Sequence, residues 1–125
     1  MINQLATETL KAQYLRAKPY PHIVIDNFFR DNIAQNIFRE LSQFDYKKES
    51  TVHYDNAIEK KFACNHYDKF PPNIYNTFIY FNSEPFINII RKITGEEKVY
   101  IDIGLHGGGM HFHERGGKLN IRYNC

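Results

Sequence analysis

The hydrophobic period of this chain changes near Lys98, and that change limits the available folds more than any other feature. Upstream, apolar residues recur every three or four positions; downstream they alternate. Val99-Tyr100-Ile101-Asp102-Ile103 reads as a strand. Met110 to His113 and Lys118 to Asn124 read as two more, joined by a turn at Glu114 to Gly117. Helices first and an antiparallel hairpin last specify an α+β fold. At 125 residues the chain has room for one core and therefore one domain.

The helical part has its own punctuation. Ile2, Leu5, Ala6, Thr9, Leu10 and Tyr14 fall on one helical face that Pro19-Tyr20-Pro21 ends. His22-Ile23-Val24-Ile25-Asp26 is β-branched and reads as a buried strand. Ile33, Ile37, Leu41 and Phe44 define the clearest helix, with Asp31 or Asn32 as its cap. Residues 45–72 are polar and aperiodic and read as a long surface excursion of the kind that often carries function. Pro72 then opens a helix bearing Ile74, Phe78 and Phe81. Another starts at Ser83, presents Phe86, Ile89, Ile90 and Ile93, and closes at Gly95.

Composition excludes several classes. Apolar residues at 42% and charged residues at 24% are those of an ordinary globular chain, and a net charge of +2 is too small and scattered to call for nucleic acid or anionic lipid. No apolar run approaches the roughly 20 residues of a membrane helix, and Met1 to Lys11 lacks a secretory core, so a cytoplasmic, intracellular location is expected. Cys64 and Cys125 make no disulfide framework and read as free thiols.

Four proton carriers or metal ligands, His106, His111, His113 and Glu114, fall within nine residues. On a strand His111 and His113 point the same way and could share one metal with a third group. The bland alternative is a strand with solvated histidines. His106-Gly107-Gly108-Gly109 matches an esterase oxyanion element, but Ser42, Ser50 and Ser83 all lack the flanking glycines of a nucleophile elbow. A tight bend between strands explains the glycines more simply.

Three segments together carry a resemblance: Pro19-Tyr20-Pro21-His22-Ile23-Val24-Ile25-Asp26-Asn27-Phe28, Lys60-Lys61-Phe62-Ala63-Cys64-Asn65, and Gly107 through Ile121. In order and spacing the chain resembles Fe(II)- and 2-oxoglutarate-dependent oxygenases of the prolyl-4-hydroxylase-like type. The resemblance implies helices packed on a double-stranded β-helix, a jelly roll of the cupin kind. It also implies a hydroxylase using Fe(II) and a 2-oxoacid on a peptidyl proline, another peptide side chain, a small molecule or a sugar. Such a β-helix needs about eight strands. Residues 98–125 supply only its first strands, so the resemblance implies an incomplete domain with 1–97 as its mainly helical part, carrying one strand.

The family's H-x-D iron motif falls on Arg122-Tyr123-Asn124. Its ligands are replaced: Arg122 stays protonated and has no lone pair to give, and Asn124 has lost the carboxylate charge. The distal histidine and the basic residue that holds 2-oxoglutarate have no matching positions. The expectation is therefore an oxygenase scaffold that binds neither Fe(II) nor 2-oxoglutarate as this chain alone and is inactive as an isolated fragment. Two alternatives stand beside it. One is a non-catalytic binding module with Arg122 as an anion site; the other is a different metal site built on His111 and His113. Open sheet edges would also permit self-association.

Overall fold

The structure is a computed structural model that describes residues 1–121. The chain is α+β, with helices packed on one antiparallel sheet. Helix α1 (Thr7–Arg16) lies along α5 (Glu84–Thr94), and α2 (Ile33–Gln43) packs against α4 (Pro72–Phe81). Gly95 ends α5 in the left-handed conformation at φ 73°. A tertiary contact caps α4: the Glu40 carboxylate of α2 accepts from the Asn73 and Ile74 backbone N–H groups at 2.8 and 2.9 Å and from the Asn73 side chain at 2.7 Å. That places negative charge at the positive end of the helix and satisfies two of its otherwise orphaned donors.

The largest departure from the sequence expectation is in residues 45–72. They carry a one-turn helix α3 (Tyr46–Glu49), strand β1 (Val52–Asp55), strand β2 (Glu59–Cys64) and a 3-10 turn at Tyr67–Lys69. Asn56 makes the β1–β2 turn. Its side chain accepts from the Ile58 and Glu59 N–H groups at 2.8 and 2.9 Å, while its own N–H donates to the Glu59 carbonyl at 2.9 Å.

Strand β2 is the centre of the sheet. One edge pairs with β1, Tyr54 opposite Lys61; the other pairs with β3 (Met110–Phe112), Ala63 opposite His111, and with β4 (Lys118–Leu119), Leu119 opposite Glu59. The expected hairpin between β3 and β4 is not formed. Both run antiparallel to β2, one after the other, and the register slips by four residues between them. The slipped residues form a turn in which Gly117 N–H donates to the Glu114 carbonyl and Gly116 takes φ 83°.

Two other expected strands form no ladder among the described residues: residues 22–26 are irregular and run into a turn at Asp26, and residues 99–103 are irregular and run into a turn at Ile103. Residues 22–26 alternate half-buried Ile23 and Ile25 with exposed neighbours, Val24 being 76% exposed, yet they pair with no strand among the described residues. In residues 99–103 the polar backbone is met by side chains. Arg91 donates to the Val99 carbonyl at 2.7 and 3.2 Å, and the Asp102 N–H donates to Asn82. Residues 1–97 thus contain β1 and β2 but not the one strand expected at 22–26. The core gathers Cys64, Phe70, Ile74, Leu105 and Met110, with Ile37, Phe44, Tyr67, Phe78 and Phe112 packed around it. Among the described residues, no helix is long and apolar enough to cross a membrane.

Candidate functional site

Strand alternation gives β2 two unlike faces. Phe62 and Cys64 point toward the helices. There Cys64 is fully buried, Phe62 lies edge-on to Tyr46, and the Phe112 ring stacks on both Tyr46 and Phe44 at 5.1 and 5.5 Å. The opposite face carries Glu59, Lys61 and Ala63 on β2, Tyr54 on β1 and His111 on β3.

This second face is ionisable: its Glu59 and Lys61 are enclosed, while His111 at its edge is exposed. Glu59 is 3% exposed and Lys61 is 9% exposed. The Lys61 ammonium sits 3.2 Å from the Glu59 carboxylate, 3.3 Å from His111 Nδ1 and 5.2 Å from the centre of the Tyr54 ring. An ammonium has only donors, so Nδ1 of His111 accepts from it and the imidazole is neutral with its proton on Nε2. Burial first, then the charges of Lys61 and His113, push the His111 pKa below the ordinary imidazole value against an opposing pull from Glu59. The face therefore offers, side by side, an enclosed carboxylate, an enclosed ammonium and an imidazole with an outward N–H.

The four grouped candidates separate in space. His111 shares the enclosed face, and His113, two residues on, lies within electrostatic reach of it. Glu114 turns to α3, where its carboxylate accepts from the Tyr46 hydroxyl at 3.1 Å and pairs with Lys47 at 3.3 Å. The Tyr46 hydroxyl bond is the largest of the influences that hold the Glu114 pKa below its usual range. His106 belongs to a loop stapled by Asp102, which accepts from the Gly107 and His106 N–H groups at 2.8 and 2.9 Å and contacts the His106 ring at 3.2 Å. Those two backbone bonds are the main cause of the lowered Asp102 pKa. Among the described residues, no three His, Cys, Asp or Glu side chains converge as a metal ion requires. Arg122 and Asn124, and the Cys125 thiol, lie outside the described residues.

The glycine run has a steric purpose. A Cβ on Gly109, whose φ is 150°, would sit 2.9 Å from the Cys64 carbonyl and 3.2 Å from the Asn65 Cβ. The loop before β3 can therefore approach the end of β2 only if that residue has no side chain.

Sequence reasoning did not single out Glu59 as a site residue, and met Lys61 only within a family-like segment. The usable signal was the Asp55-Asn56 turn between two short runs, together with charge at positions 59 and 61, two apart and one face of a strand. Comparison with protein-family models, with curated proteins and with solved structures found no match to this chain.

Proposed function

We propose that this chain is built on the scaffold of Fe(II)- and 2-oxoglutarate-dependent oxygenases and forms its helix-backed half, with the Glu59–Lys61–His111 face as one wall of the ligand pocket. The observation that carries the reading is the two-faced sheet. One face packs Phe62 and Cys64 against the helical side, and the other encloses Glu59 and Lys61 instead of leaving them to water. A jelly roll with a polar lumen has this pattern of faces. One further feature is compatible with it: among the described residues the β-branched runs at 22–26 and 99–103 pair with no strand.

The described residues do not fit Fe(II). Three ligands do not converge, and the one imidazole on the enclosed face has its Nδ1 lone pair directed at an ammonium. No step of iron chemistry is assigned to them. What they can do is bind and orient: Lys61 and the outward N–H of His111 are donors suited to a carboxylate, with Glu59 fixing the ammonium in place.

The test combines intact mass with cofactor turnover. The natural gene product should exceed 14.8 kDa and convert 2-oxoglutarate to succinate with Fe(II), while residues 1–125 alone bind no stoichiometric iron and form no succinate. A natural product of 14.8 kDa that forms no succinate would overturn the proposal. Tight iron binding by the 125-residue chain that is lost in His111→Ala would replace it with a metal site at His111 and His113.

A further inference from the structure

The outer edge of β1 is exposed: Val52, His53 and Asp55 all lie open to solvent, and among the described residues β1 pairs with β2 alone. The hairpin fixes which backbone groups face out. Asn56 and Glu59 form a hydrogen-bonded pair at the turn, so by antiparallel alternation Tyr54 and Val52 bond to β2. The N–H and C=O groups of His53 and Asp55 therefore point away from the sheet.

We propose that this edge is a docking surface for a second copy of the chain, joined antiparallel about a two-fold axis with His53 of each copy opposite Asp55 of the other. Only outward-facing residues can exchange ladder bonds, which leaves three registers within the strand. One sets His53 against His53 and another sets Asp55 against Asp55, both unfavourable once charged. The third makes two His53–Asp55 pairs and four backbone hydrogen bonds, and brings Tyr54 against Tyr54 on the axis, where opposed Cα atoms are about 4.5 Å apart. The exposed His53 ring lies stacked on Phe62 at 4.2 Å and 3°. Such an interface is isologous and closes after two copies. It is also small beside the roughly 1,200 Å² of a stable interface, so the dimer forms weakly and reversibly.

Sedimentation of the full chain from about 1 μM to about 1 mM reads the association directly. Mass should rise with concentration, Asp55→Lys should weaken the dimer at least about tenfold, and adding His53→Glu to Asp55→Lys should restore it. A chain that stays monomeric throughout, or dimerises equally well with Asp55→Lys, overturns the proposal. Cross-linking checks register independently of affinity. With Cys125→Ser as background, Tyr54→Cys should form a disulfide dimer on mild oxidation and Val52→Cys should not. Equal cross-linking at both positions would overturn the register.

Discussion

The two faces of β2 are built from the same six-residue strand and obey opposite rules. On the helix side, Phe62 and Cys64 meet Met110, Phe112 and a run of aromatic rings, and every contact removes apolar surface from water. On the other side, Glu59 and Lys61 are as deeply enclosed as the core, yet enclosing an ion pair costs desolvation energy that its attraction often fails to repay. The first face is what holds the fold together. The second is where stability has been given up for a fixed arrangement of donors and acceptors, which is why it is the face proposed to meet a ligand.

Substitutions can break that contrast. The largest effect is expected from Lys61→Ala, which leaves the enclosed Glu59 carboxylate without its ammonium and should lower unfolding free energy in urea by about 3–5 kcal/mol. Glu59→Leu with Lys61→Met should lose much less than Lys61→Ala alone. If the double variant is the worse of the two, the ion pair is a net stabiliser and the contrast fails. On the apolar face Met110→Ala should cost about 2–4 kcal/mol by the ordinary cavity mechanism, with no comparable rescue by a neighbouring apolar change.

The smallest effect is a pH slope. Because His111 is held below the usual imidazole value, the unfolded chain takes up its proton first as pH falls. The stabilisation is complete above about pH 6.5 and is lost as pH drops through that value toward the folded one. The urea midpoint should therefore fall between pH 7 and pH 5, and the fall should be shallower in His111→Gln. An identical slope in the variant would remove His111 from the enclosed face's energetics.

The same contrast explains what could be read in advance. Helices α2, α4 and α5 were legible because their inner faces are apolar at helical spacing and their ends are marked by Pro72 and Gly95. Strand β2 was not, because alternation of hydrophobicity presumes that one face is apolar and the other wet. Here Glu59 and Lys61 are inside, so the sheet's central strand looked like solvated loop. The reverse happened at 22–26 and 99–103. Their β-branched residues favour a strand, but a ladder also needs a neighbour, and local sequence holds no record of one. Of the site, His111 and His113 were legible by their spacing. Their separation from Glu114 and His106 depended on Tyr46, Lys47 and Asp102, partners no spacing rule could supply.

Because three strands all pair with β2, the order in which the sheet assembles is constrained. The β1–β2 hairpin closes through a turn of a few residues, an event of about 1–10 μs in isolated hairpins. β3 and β4 must wait for a far longer stretch of chain, including α4 and α5, to be gathered in, and they are themselves only three and two residues long. Assembly from the hairpin side and fraying from the β3–β4 side are then the two ends of one path. His111 is delivered to Lys61 only at the last step, so the enclosed face exists as a site only in the fully assembled sheet.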